Sequence, residues 1–504
     1  MHNPSTKLTD VKELQGLLKN KPEKHWNKLG EKMALKLFKD MSQNVPAYKD
    51  FLKKNNFKAS SVKTIDDFRE IPTIDKDNYL RKYSTKDLSW NGSFPKGKWV
   101  VSTTSGSTGD PYYFPRQEQQ DRQYAVTAEL YLRENFQIQK RRTLYVVGFP
   151  MGAWIGGVFT YEALKMVAER GRYDLTIITP GIHKQEIINA VKKLGKNYDQ
   201  VIIGSYAPFL KDILDDGIRQ GLNWTEYNLG FVFSAEAFSE MFRDYVAKKT
   251  DLKNIYTDTL NHYGTVDLGT MSHETPLSIM LRRDSMDNLD LYNAIFKRND
   301  KVPTFTQYNP AQFYFEEVEN SLYCSAYSGL PLVRYDLKDS GEVLGFEDLK
   351  NKLEEIDYPF DKRIKKSKIA KHIWNLPFVS VYERNDFSVS YYAFQIYPDM
   401  IRRPLQRIEF EELVTGKFTT LVKFDKSGQQ KLEINIELKA NQEETEEIVK
   451  HMSSAIVESL LTESSEYRET HKVYGDKVHP DIVFWPYEYE EYFKPGIKQI
   501  WIKK

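Results

Sequence analysis

The sequence runs to 504 residues, room for several domains of roughly 100–200 residues each. Lysine and arginine total 72 against 71 aspartates and glutamates, a formal net charge of +1, so no global field draws the chain to nucleic acid or anionic lipid. With 40% hydrophobic and 28% charged residues the usage is that of a globular protein and excludes a disordered or fibrous chain.

The single cysteine, Cys324, can form no internal disulfide and no thiolate metal cluster, which fits a reducing compartment and points to the cytoplasm. Residues 1–10 are polar and do not read as a secretory signal. Leu14, Leu17 and Leu18, then Met33, Leu37 and Phe38, form apolar stripes that predict helices through the first 80 residues. From Lys98 the pattern changes. Short apolar runs at 99–102, 143–147, 175–178, 201–203 and 231–233 alternate with helical patterns such as 117–134 and 184–193, which predicts parallel sheets covered by helices.

Residues 143–161 carry no charge over 19 positions, nearly enough to span a bilayer. Gly148, Pro150, Gly152, Gly156 and Gly157 make that stretch a poor helix in lipid, so it reads as a buried strand followed by a glycine-rich loop, with no membrane span. After Asp339 the regularity fails. The charged stretch 347–371, with Lys362, Arg363, Lys365, Lys366 and Lys368 at its basic end, reads as a solvated loop or surface helix. Beyond it, strands at 418–424 and 431–438 flank a turn at 425–428. A helix from about residue 443 carries Ile448, Met452, Ile456 and Leu460 on one face, and a strand at 481–485 precedes a basic tail. The expected fold is therefore a large α/β N-terminal domain over 1–383, beginning with a helical entrance at 1–97, and a small α+β domain over 384–504.

The most informative stretch is 102–111, STTSGSTGDP, with two glycines and six hydroxyls in its first eight residues. Glycines turn successive N–H groups toward one point and hydroxyls add donors, which is what a polyphosphate needs. It lacks the spacing and lysine of a Walker loop, and a Ser/Thr/Gly run alone is a flexible linker as often as a phosphate loop. Its place between the 99–102 and 111–115 strands argues against a linker. No G-x-S-x-G or H-E-x-x-H is present, and His273-Glu274 has no second histidine at helical spacing.

With these residues in view the chain resembles the adenylate-forming superfamily of acyl-CoA ligases and adenylation domains, more narrowly its phenylacetate–CoA ligase branch. Val45–Tyr48, Ile65–Phe68 and Ile71–Lys76 are similar to that branch's helical entrance, and Ser102–Pro111 to its phosphate loop. Phe149–Gly157 is similar to the glycine-rich acid-binding segment, Ser234-Ala235-Glu236 to the small-Ala-Glu element after a strand, and Tyr263–Asp267 to Y-G-x-[ST]-E. Pro331–Tyr335 with Asp339 is similar to P-L-[IV]-R-Y-x-T-x-D. Several motifs in the family's order are more specific than any one.

The resemblance implies ATP- and magnesium-dependent, AMP-forming activation of a small carboxylic acid, aryl or aryl-alkyl by its pocket residues, and capture of the acyl adenylate by a thiol such as coenzyme A. Transfer to an amine, a hydroxyl or a carrier-protein thiol, or a catalytically silent nucleotide-binding homologue, are the alternatives; a homodimer is kept open. The resemblance places Thr104, Ser105, Gly106, Ser107, Thr108 and Gly109 on the β- and γ-phosphates, Tyr263 and Gly264 along the adenine and acyl pockets, Thr265 near the α-phosphate, and Asp339 on the ribose hydroxyls. Trp154, Gly156, Gly157, Ser234, Ala235 and Glu236 would line the acyl pocket. Asp267 stands where the family has a magnesium-binding glutamate, one methylene shorter. Taken singly, Asp339 also reads as a turn residue and Tyr263 as a buried aromatic.

The segment 383–398 aligns without gaps to the family's hinge, matching at Arg384, Asp386, Ile396, Tyr397 and Pro398, so the small domain is expected to be a lid. Glu383, Phe387 and Ala393 depart from the pattern, the last replacing a glycine that lets the acceptor thiol's arm pass. The catalytic lysine of the lid is expected at Lys498, in Lys494-Pro495-Gly496-Ile497-Lys498, with Lys494 second.

Overall fold

A computed structural model describes residues 10–103, 112–234, 238, 240–297, 302–384, 389–392, 394–405, 407–425, 428–493 and 502. Asp10 caps the first helix, Val11–Asn20, by accepting from the Lys12 and Glu13 amides, and Leu14 and Leu18 are buried on its inner face. Helices Glu23–Asn44 and Pro46–Lys54 follow, with Met33, Leu37 and Phe38 buried as their stripe requires.

Strands β1 (Val100–Thr103) and β2 (Tyr113–Arg116) form a sheet of their own. The run at 99–102 therefore does not join the parallel sheet: Val100 and Val101 are 39% and 41% exposed, and a strand of four residues in a two-stranded sheet has no second face to bury. The parallel strands are β3 (Thr143–Gly148), β4 (Leu175–Ile178), β5 (Gln200–Ser205), β6 (Leu229–Phe233) and β7 (Thr259–Thr265). They lie in the order β4-β3-β5-β6-β7, all pairs parallel. Helices Glu118–Glu134 and Ile155–Gly171 cover one face, where Tyr131, Tyr145, Phe159 and Leu260 pack in one core. Gly156 and Gly157 belong to the first turn of the second of these helices, not to the preceding loop.

The sheet then changes character. β8 (Gly269–His273), β9 (Thr304–Gln307), β10 (Phe313–Val318), β11 (Ser321–Ala326), β12 (Leu332–Leu344) and β13 (Phe378–Arg384) extend it in the order β7-β8-β9-β13-β12-β11-β10, every pair antiparallel. The result is an 11-stranded mixed sheet rather than a purely parallel one. Glu319 and Asn320, both at positive φ, close the β10–β11 hairpin in the two-residue loop that matches strand twist. The charged stretch after residue 346 is two helices, Phe346–Glu355 and Phe360–Lys366, solvated on one side. On the other side Phe346, Leu349, Leu353 and Ile364 enter a core, and Arg363 pairs with Asp284 at 2.5 Å.

The chain divides into two units. One holds Met1–Ser102, Phe114–Ser205 and Ile213–Asn385; the other holds Thr103–Tyr113, Tyr206–Asp212 and Asp386–Lys504. In the second unit β14 (Val389–Tyr391) pairs with β15 (Phe394–Ile396), and β16 (Val414–Phe424) with β17 (Gln430–Leu438), which pairs in parallel with β18 (Asp481–Trp485). Helix Glu446–Glu463 buries Met452, Ile456 and Leu460, as its periodicity requires. The fold class is thus a large helix-covered α/β sheet domain and a smaller α+β one. No helix among the described residues is long and apolar enough to cross a membrane.

Candidate active site

Three parallel strands, β3, β5 and β6, end level with one another, and β7 runs four residues beyond them. Gly148 of β3 stands opposite Ser205 of β5, Ser205 opposite Phe233 of β6, and Phe233 opposite Asn261 of β7. The chain leaves β3 for β4 on one side and then crosses to β5 on the other, so the carboxyl ends of β3 and β5 flank a topological switch point, the position where open α/β sheets take their ligands. Just past this row lie Trp154, Gly156 and Gly157 after β3 and Ser234 after β6, while Tyr263, Gly264, Thr265 and Asp267 occupy the end of β7 and the turn that follows.

Two tyrosine–aspartate bonds tie that end of β7 to β12. Tyr263 Oη donates to Asp339 Oδ2 at 2.5 Å, and Tyr335 Oη donates to Asp267 Oδ2 at 2.5 Å, all four residues being buried. In a flat sheet strands four places apart would stand about 19 Å from one another, so the antiparallel half must curl to bring β12 back over the end of β7. Asp339 also lies opposite Arg384 in the β12–β13 register.

The helical entrance is pinned into this arrangement. The Ile74 amide donates to the Arg334 carbonyl and the Asp336 amide to Ile74, and Arg334, at φ +49, donates through its guanidinium to the Ile71 carbonyl at 2.6 Å and to Glu316. Lys76 is thereby held with Nζ 3.6 Å from Asp267 Oδ2, and Lys338 bridges Asp75 and Asp336. Burial raises the Asp75 carboxyl, but the Asn78 amide and the Lys338 ammonium outweigh it and keep it below the usual range. Lys76 lies in the entrance segment and Tyr335 in the P-L-V-R-Y run. Sequence spacing assigned neither of them to Asp267, because the contact depends on the curl of the sheet.

Two glycines are required by close approach. A Cβ on Gly264 would stand 2.5 Å from the Gly269 carbonyl across β7–β8, and one on Gly157 would stand 2.5 Å from both the Pro150 carbonyl and Met151 Sδ. Gly157 also donates its amide to Pro150 at 3.0 Å, so its missing side chain serves the packing of the loop on the helix. Gly156 is less constrained, its nearest neighbour being Phe149 at 3.4 Å. Thr265 Oγ1 accepts from the Leu268 amide at 3.3 Å and closes the turn that carries Asp267. Trp154 caps the helix, with its indole N–H buried and unpartnered among the described residues. At the base of the hydroxyl-rich loop Arg116 donates to Ser102 Oγ at 2.5 Å and to Asp121 at 2.8 Å beneath the Phe159 ring. Thr104, Ser105, Gly106, Ser107, Thr108, Gly109, Ala235, Glu236, Asp386, Phe387, Ala393, Lys494 and Lys498 lie outside the described residues.

No protein-family model matches the sequence, and no curated protein is similar to it by sequence. Among solved structures, a 2-hydroxyisobutyryl-CoA ligase in complex with 2-HIB-AMP and CoA in its thioesterification state is similar with a TM-score of 0.64. Its identity is 14%, over 97% of this chain and 92% of that one. The same ligase in its postadenylation state, in complex with R3-HIB-AMP, is similar with a TM-score of 0.52 at 15% identity over 97% and 90%. At such identities the likeness establishes the fold alone: the chain has the architecture of this CoA ligase.

Proposed function

We propose that the chain activates a small carboxylic acid with ATP and passes the acyl group to a thiol, with coenzyme A the first acceptor to test. The observation that supports this reading best is the paired Tyr263–Asp339 and Tyr335–Asp267 bonding, just past the level strand ends, in a chain with the ligase architecture. In the first step a carboxylate oxygen attacks the α-phosphorus and pyrophosphate leaves. In the second a thiol sulfur attacks the acyl carbon, its proton passes to solvent and AMP leaves.

Two like charges meeting at about 4 Å repel by roughly 4 kcal/mol at an effective dielectric of 20, so the first step needs cations and aimed donors. In this reading Thr104–Gly109 grip the β- and γ-phosphates while Thr265 stands at the α-phosphate. Tyr263 and Gly264 wall the adenine, and Asp339 accepts from the ribose hydroxyls, a task for an ionised carboxylate. Lys76 and Tyr335 both meet Asp267 at Oδ2, and its carboxylate, a hard oxygen donor, would hold magnesium in this reading. Bound there, the ion would neutralise phosphate charge. In the same reading Trp154, Gly156, Gly157, Ser234, Ala235 and Glu236 line the acyl pocket, Arg384 marks the hinge between a domain at 1–383 and a lid at 384–504, and Lys498 is the catalytic lysine. A reducing, cytoplasmic setting agrees with a single cysteine, Cys324, that is buried.

Acid-dependent exchange of labelled pyrophosphate into ATP tests the first step: exchange with at least one acid of a broad library is expected, and none with any acid rejects the reading. Ala393, where the family has glycine, favours a second reading in which the acceptor is an amine, a hydroxyl or a carrier-protein thiol. A thioester found by mass after adding coenzyme A would reject it.

A further inference from the structure

Outside the candidate active site, one cluster among the described residues gathers three metal-ligating side chains. His471 closes the helix Ser465–Tyr474, Gly475 at φ +57 turns the chain back over that helix end, and Asp476 and His479 follow in and after the short 3-10 turn. His471 Nε2 and His479 Nε2 face one another at 2.9 Å with their rings within 8° of parallel, and Asp476 Oδ1 lies 3.5 Å from His479 Nε2. Two N–H groups cannot point at each other over that distance, so at least one Nε2 presents a lone pair. Nitrogens sharing one tetrahedral zinc at about 2.0–2.1 Å each stand about 3.3 Å apart, so admitting an ion asks for a separation of only a few tenths of an ångström. The frame is already built: the Gly475 amide donates to the His471 carbonyl, the His479 amide to Asp476, and the buried Tyr467 hydroxyl to the Val478 carbonyl at 3.2 Å, with the Tyr467 ring beside His471. A solvent-facing groove of about 330 Å³ along the helix Glu446–Glu463 ends at His479 and gives an ion its way in.

We propose that His471, Asp476 and His479 bind one divalent transition-metal ion, zinc foremost, leaving a fourth position for water or a further ligand. The two nitrogens and one oxygen suit a borderline cation rather than magnesium, and a bound ion would clip the helix end to the segment that enters β18. The test titrates the untagged, chelator-treated full chain with Zn²⁺ alone against a chromophoric competitor. One equivalent per chain is expected, weakened at least about tenfold by His471→Ala or His479→Ala and abolished in the double variant, with millimolar Mg²⁺ unable to displace it. Zn²⁺ is also expected to raise the thermal midpoint of the parent chain and not that of the double variant. Absence of saturable binding would mean the imidazoles share a hydrogen bond and nothing more, and would overturn the site. So would equal affinity in the double variant or displacement by Mg²⁺. If the double variant fails to fold, His479→Gln, at the groove's edge, carries the same tenfold test.

Discussion

Tyr263 already gives Asp339 one of the donors an ionised carboxylate wants inside a protein, which poses a sharp question at that residue. If Asp339 serves only to satisfy the tyrosine, Asp339→Asn and Tyr263→Phe should act alike, each lowering stability and neither touching nucleotide binding selectively. If it holds the ribose, Asp339→Asn removes charge-assisted bonds worth about 1.5–3 kcal/mol, and the KM for ATP should rise about 10- to 100-fold. Tyr263→Phe should then shift it by roughly fivefold or less, because the carboxylate remains. Steady-state pyrophosphate release at varied ATP separates the two outcomes. Gly157 supports a different prediction. An alanine there meets a backbone carbonyl that cannot rotate away, so Gly157→Ala should cost about 1–3 kcal/mol in urea unfolding, while Gly156→Ala, with its Cβ 3.4 Å from Phe149, should be milder.

At the scale of elements, β7 and β8 each carry a histidine buried beneath the site. The His262 and His273 rings lie about 6.4 Å apart, each against Tyr131, and His273 Nδ1–H donates to the Glu274 carbonyl at 2.7 Å. Burial pushes the His273 ring from its usual 6.5 down to about 4 and His262 in the same direction. The unfolded chain therefore takes up more protons than the folded one between about pH 6.5 and about pH 4, and stability must fall as pH falls through that window. His273 alone accounts for about 3 kcal/mol by pH 4. Urea midpoints from pH 7 to pH 4 check this, and a flat profile would mean that the rings are charged when folded. These same strands mark where sequence reading stops. Of the parallel strands, β3, β5 and β6 are apolar runs buried on both faces and were legible as such, whereas β7, with Thr259, Asn261 and His262, was not. Nor was β12: its 13 residues include Arg334, Asp336, Lys338, Asp339 and Glu342, whose charges are matched by Glu316, Asp75 and other neighbours that only the curled sheet brings close. The antiparallel half of the sheet went unread for that reason, although the site motifs it carries were visible as motifs.

At the scale of the whole molecule, the groups that the proposed reaction uses are divided between the two units. Asp339, Tyr263 and Asp267 belong to the larger one, and the hydroxyl-rich segment within 103–113 and the terminal segment with Lys494 and Lys498 to the smaller. The small α+β unit was readable because its turn at 425–428 and its helix periodicity are local signals; Lys498 rests on a short terminal motif with one extra residue in the spacing. The proposed roles predict a split in the kinetics. In the proposed reaction ATP binding draws on the hydroxyl-rich loop and on the carboxylate of Asp339, whereas the charge that develops as pyrophosphate leaves calls for a cation, the part assigned to Lys498. Lys498→Ala should therefore lower acid-dependent pyrophosphate exchange by about 10²–10³-fold, the range for losing one transition-state donor, with the dissociation constant for ATP moved less than about threefold. Lys494→Ala, the nearest alternative, should leave exchange within about threefold of the parent chain; if the two variants trade these effects the lysine assignment moves to Lys494, and if neither lowers exchange the cation must come from the large unit, where Lys76 already stands 3.6 Å from Asp267.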